Sequence, residues 1–154
     1  MKLRSWQAEA FPLWWDKQQG IIKVVTGGGK TFFAIHCIKE YLKASPKKDI
    51  LIVVPSIALL DQWNEALLEN NVNQEIVLNG GGEKVDKSAK IIVTTIDSLK
   101  NILGIVNAEN SLLIVDECHK IGTEKRGDML NNNWSATLGS VSYTHLTLPT
   151  RDEV

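Results

Sequence analysis

The chain has 154 residues, 44% hydrophobic and 23% charged, with a formal net charge of −1. That profile fits one globular domain with a single substantial core. It excludes a global basic field, so any contact with nucleic acid must come from a local face. Cys37 and Cys118 alone make no disulfide framework. The longest apolar runs are too short to span a bilayer, and the N-terminus lacks the apolar stretch of a signal peptide. A cytoplasmic protein with no membrane partner is expected.

Leu3 to Trp15 reads as a helix, with Trp6, Ala10, Leu13 and Trp14 apolar and Pro12 bending or splitting it. Asp16 to Gly20 is a turn, and Ile21 to Val25 is the first buried strand. Thr31 to Lys43 is a helix whose Phe33, Ala34, Cys37, Ile38 and Leu42 share a face. A loop at Ser45 to Asp49 leads to a second strand, Ile50 to Val54, closed by Pro55. Ile57 to Asn70 is a second long helix, with Leu60, Trp63, Ala66 and Leu67 at helical spacing. Gln74 to Leu78 is a third strand, and Asn79 to Lys90 a polar loop. Ile91 to Val93 is a fourth strand ending in Thr94-Thr95, after which Asp97 caps a short helix running to Leu103. Leu112 to Val115 is a fifth strand, ending in Asp116-Glu117-Cys118-His119. Apolar strands alternating with amphipathic helices predict an α/β fold, a mainly parallel sheet flanked by helices on both faces.

Between the first strand and the next helix lies Thr26-Gly27-Gly28-Gly29-Lys30-Thr31. Strand, Gly-rich loop and helix are the setting of a P-loop. Glycines let the backbone approach a polyphosphate with its N–H groups, and the helix N-terminus adds its positive dipole end. Lys30 is placed to reach the β- and γ-phosphates, and the Thr31 hydroxyl to ligate Mg²⁺. The general pattern wants glycine at position 24, where this chain has Val24. A glycine-rich turn that binds nothing is the alternative. Against it stand Asp116 and Glu117, just past the C-terminal end of a buried strand, where ligands of open α/β sheets bind. Asp116 suits Mg²⁺ opposite Thr31, and Glu117 suits orientation or deprotonation of an attacking water. The alternative for this pair is a cap on the next helix. His119 either senses the nucleotide state or is a plain solvated imidazole.

These motifs resemble the first RecA-like domain of a superfamily 2 helicase of the DEAD/DEAH-like group. Thr26 to Thr31 resembles motif I, which in that superfamily does not require glycine at position 24, and Asp116-Glu117-Cys118-His119 resembles motif II in its DECH form. Leu3-Arg4-Ser5-Trp6-Gln7 resembles the adenine-recognition segment, which implies that Gln7 and Arg4 contact the adenine of ATP. Val53-Val54-Pro55-Ser56 with Leu59 to Trp63 resembles motif Ia, and Thr94-Thr95 motif Ib. By that resemblance Pro55, Ser56, Gln62, Thr94 and Thr95 line a nucleic-acid groove; plain strand ends are the alternative for both segments. It implies ATP and Mg²⁺ as cofactors, and DNA rather than RNA as partner. It also implies a second RecA-like domain whose arginines complete the hydrolytic site. Without those arginines the chain is expected to bind ATP weakly and turn it over slowly. The motor part of a restriction or repair enzyme, and a nucleotide switch without nucleic acid, stay open.

Motif III is legible in two places, at Ser135-Ala136-Thr137 or beginning at Leu138. From Val141 onward the chain resembles nothing in helicases. Val141 to Thr150 looks like a translated sequencing-library adapter, so residues 1–140 are expected to be the ATP-binding domain and 141–154 a non-native tail. Its alternating Val, Tyr and Thr suit a β-strand all the same.

Overall fold

The computed structural model describes residues 2–80, 90–122, 124, 127, 129 and 133–143. Its helices include α1 (Ser5–Lys17), α2 (Lys30–Ala44) and α3 (Ile57–Glu69), and described residues 124, 127 and 129 are also helical. Six strands are β1 (Ile21–Val25), β2 (Asp49–Val54), β3 (Ile76–Asn79), β4 (Ile91–Thr95), β5 (Ser111–Val115) and β6 (Ala136–Tyr143). They form one sheet in the order β1-β6-β5-β2-β4-β3, and every pairing is parallel. All strands therefore end at one edge, where the P-loop and the acidic motif meet.

The central strands are apolar on both sides because both sheet faces are covered. In β2, Ile50, Ile52 and Val54 face one core cluster, and Leu51 and Val53 face the other. Helices α1, α2 and α3 cover the first face with Trp14, Phe33, Ile38, Trp63 and Leu67. The second face is covered by Leu99, Ile102, Ile121 and Met129. Each large aliphatic side chain buried in this way contributes about 1.5–3 kcal/mol.

Three details differ from the sequence reading. Pro12 does not split α1, which is continuous from Ser5 to Lys17. Both Pro12 and Ala8 are exposed, so the carbonyl that loses its partner is left where water reaches it. The helix after β4 is only a 3₁₀ turn, Leu99–Asn101, with Ser98 in the N-cap position and no side-chain capping bond from it. Its three-residue repeat sets Leu99 and Ile102 on the same side, and both are buried in the second cluster. Finally, β6 begins at Ala136, where sequence reading placed no strand, and runs on through Tyr143 as the alternating residues suit, with Val141, Ser142 and Tyr143 paired to Lys23, Val24 and Val25. Residues 81–89 of the polar loop and 144–154 of the tail lie outside the described residues.

Candidate functional site

The loop between β1 and α2 needs glycine for two reasons. Gly27 and Gly29 have φ of 81° and 90°, the left-handed region where a side chain is strained. At Gly28 the constraint is space, because a Cβ would collide with the Val24 side chain and the Val25 carbonyl. Val24 itself is a buried strand residue, which is why the missing glycine at that position does not disturb the loop. Gly29 is the N-cap residue of α2, so Lys30 and Thr31 sit in its first turn.

Helix α1 holds this loop from behind. The Arg4 guanidinium donates to the Gly27 carbonyl (3.4 Å), the Trp6 indole to Gly28 (2.9 Å) and the Gln7 amide to Gly29 (2.9 Å). Three successive glycine carbonyls thus have one side-chain donor each. The Gln7 amide is used at both ends, since its Oε1 accepts from the Arg4 backbone N–H at 2.7 Å, and the side chain is buried. Trp6 also packs on Phe33 of α2, with ring centroids 5.3 Å apart.

The acids meet Lys30 at the same sheet edge. Lys30 Nζ lies 2.7 Å from Asp116 Oδ1 and 3.3 Å from Glu117 Oε1. Asp116 is only 3% exposed. Its Oδ1 also accepts from the Ser140 hydroxyl at 3.1 Å, and its Oδ2 from the Trp63 indole at 3.2 Å. Glu117 holds a left-handed backbone, φ 53° and ψ 51°, which is rare for a residue with a side chain and clusters at functional sites. That conformation accompanies a hydrogen bond from the Ser142 backbone N–H to its Oε1 at 2.7 Å. His119 is exposed, with Nδ1 4.0 Å from Glu117 Oε1, and borders an apolar cleft of about 380 Å³ on the second sheet face. Cys37 is core, and burial drives its thiol far above its ordinary range.

Of the groove candidates, Ser56 and Gln62 are exposed and Pro55 is half-buried. Thr94 and Thr95 are buried, a correction to their reading as groove-lining side chains. The Thr94 hydroxyl is bonded to Asn79, and the Thr95 hydroxyl accepts from the Ser98 N–H. Side chains leave a strand toward the two sheet faces, and all five β4 residues are buried. Of the two motif III positions, Ser135 to Thr137 lies at the start of β6, at the sheet edge opposite Lys30, and the Ser135 hydroxyl is engaged by Tyr41. Ser140 and Ser142 are the β6 residues that reach the acids. Sequence reading missed Ser140 and the hydrogen-bonding roles of Trp6 and Trp63. Their one signal is that a buried indole N–H requires an acceptor.

Residues 1–146 match the family described as type III restriction enzyme, res subunit. The chain belongs to this family. It is 36% identical over 124 residues to a DNA 3'-5' translocase XPB2 from Sulfurisphaera tokodaii, covering 80% of this chain and 26% of that protein. It is 27% identical over 143 residues to an ATP-dependent DNA helicase Hel308 from Aeropyrum pernix, covering 87% and 20%. The chain therefore spans about a quarter or less of these relatives. Among solved structures, the UvsW helicase from bacteriophage T4 superposes with a TM-score of 0.75 at 21% identity, over 92% of this chain and 52% of that one. A Sulfolobus solfataricus SWI2/SNF2 ATPase core in complex with dsDNA gives 0.74 at 19% identity, over 92% and 32%. The chain thus shares the RecA-like α/β fold of these helicase and ATPase structures.

Proposed function

We propose that this chain is the ATP- and Mg²⁺-binding domain of a helicase or translocase that acts on DNA. The observation that carries this reading is the 2.7 Å approach of Lys30 Nζ to Asp116 beside an N-terminal helix turn and a glycine loop. The donor set fits a metal–triphosphate. An ammonium and a helix N-terminus suit the phosphates, and Thr31 with Asp116 suits Mg²⁺, which usually takes one or two carboxylates together with substrate phosphates. Bound Mg²⁺ would neutralise charge on the β- and γ-oxygens. Glu117, held by Ser142, is the group to orient or accept a proton from water, with His119 beside it. Gln7 and Arg4 fix the loop's shape, and contact with adenine rests on the motif resemblance. Pro55, Ser56 and Gln62 are the groove contacts, with Thr94 and Thr95 holding the strand end beneath them.

The family description favours one narrower reading, in which this is the motor part of a restriction enzyme. Either way, arginines from a second RecA-like domain complete hydrolysis, and such an arginine is worth roughly 10³–10⁵ in rate. The chain alone should therefore turn ATP over very slowly. Phosphate release measured with and without DNA tests this, and brisk DNA-stimulated hydrolysis by the 154-residue chain would refute it. A DNA-binding titration across ionic strength separates the motor from a nucleotide switch. Phosphate contacts make affinity fall steeply with salt, and a switch shows no DNA binding to lose.

We also infer that residues 141–154 are a non-native tail, although the family match extends to residue 146. Ser142 N, which donates to Glu117, and Tyr143 O, which accepts from Thr26, are backbone atoms, which any β-prone sequence supplies. Sequencing the source gene across codon 140 tests this, and an intact helicase sequence reading through the same residues overturns it.

A further inference from the structure

Asp116 is the one buried carboxylate among the described residues, and its two oxygens are held differently. Oδ1 meets Lys30 and Ser140, and Oδ2 meets the Trp63 indole. Lys30 is a flexible cation with 19% of its side chain exposed. Trp63 is a rigid ring, 2% exposed, packed in the same core cluster as Leu60 and Leu67 of its own helix. A neutral donor fixes a carboxylate's direction without neutralising it. When Lys30 is drawn elsewhere, Trp63 and Ser140 still hold the acid. Trp63 is also adjacent to Gln62, which is exposed, on the helix that starts directly after Pro55 and Ser56. One helix therefore carries the groove candidates on its outer side and grips the acid from its inner side.

We propose that Trp63 is a positioning residue for Asp116, setting the carboxylate for Mg²⁺ and tying its orientation to helix α3. This rests on the reading of the Lys30–Asp116 site as a Mg–nucleotide site. The link itself is read without nucleotide. In the ¹H–¹⁵N spectrum of the 154-residue chain, the indole peak lost in Trp63→Phe identifies Trp63. Asp116→Asn is expected to move that peak while the other indole peaks stay.

The consequence is read from binding of a fluorescent ATP analogue at increasing Mg²⁺. Trp63→Phe is expected to raise the Mg²⁺ needed for half-maximal binding about tenfold, the loss of one hydrogen bond to a charged group. Binding in EDTA should be unchanged. Trp63→His, which restores a ring N–H, should recover part of the shift. Leu67→Ala, a cavity in the same helix, should lower the melting temperature without moving the Mg²⁺ dependence. An indole peak indifferent to Asp116→Asn overturns the proposal. So does a wild-type Mg²⁺ dependence in Trp63→Phe, or an equal shift in Leu67→Ala. If the wild-type chain binds no nucleotide at any Mg²⁺, the site reading fails and the metal role of Trp63 fails with it. The indole peak then still decides the Trp63–Asp116 link.

Discussion

Lys30 and Asp116 are each other's main electrostatic partner before any ligand arrives, at 2.7 Å with the acid almost fully buried. Removing Lys30 leaves that carboxylate with only neutral donors, so Lys30→Ala should destabilise the chain by about 1–3 kcal/mol, below the usual cost for a fully buried pair because Lys30 is partly exposed. Asp116→Asn should relieve much of that loss. Urea denaturation of both single variants and the double variant measures the coupling, which should reach about 1 kcal/mol. Strictly additive effects would mean that the pair contributes nothing.

Helix α1 reaches the P-loop through side chains, so its role is separable from its packing. Trp6→Phe keeps the stack on Phe33 and removes only the donor to Gly28. Stability should fall by about 1 kcal/mol, the net worth of one hydrogen bond. Affinity for Mg·ATP should fall by more than the stability change explains, which calorimetry of the variant checks. An unchanged affinity would confine Trp6 to packing. The same element shows where sequence reading stopped. The β1–loop–α2 unit was legible because the strand run, three glycines and helix pattern are consecutive. That Trp6 serves Gly28 and Trp63 serves Asp116 was not, since those bonds cross 22 and 53 residues of chain. A groove role for Thr94 and Thr95 came only from their resemblance to motif Ib, and the strand pattern by itself made them a strand end. Only the order β3-β4-β2 reveals that this strand is interior.

At the scale of the whole molecule, the parallel sheet places every strand's C-terminal end at one edge, which is why a loop after β1 and acids after β5 become neighbours although β6 lies between them. Among the described residues the sheet also has an open flank. There β1 pairs only with β6, and Ile21 on that flank is 65% exposed with Leu13 of α1 at 75%. An unpaired edge bearing large apolar side chains promotes association. Ile21→Lys combined with Leu13→Glu should therefore lower concentration-dependent association, as read by light scattering, and leave the melting temperature nearly unchanged. Equal association in the variant would place the sticky surface elsewhere.

The central claim is that Lys30, Asp116 and Glu117 form one nucleotide site. Calorimetric titration of Mg·ATP into the 154-residue chain and its Lys30→Ala variant tests it most directly. Weak binding by the native chain, reduced about tenfold to a hundredfold in the variant by the loss of a charged hydrogen bond, is the expected result. Equal affinity in the two chains, or no binding by either, would contradict it.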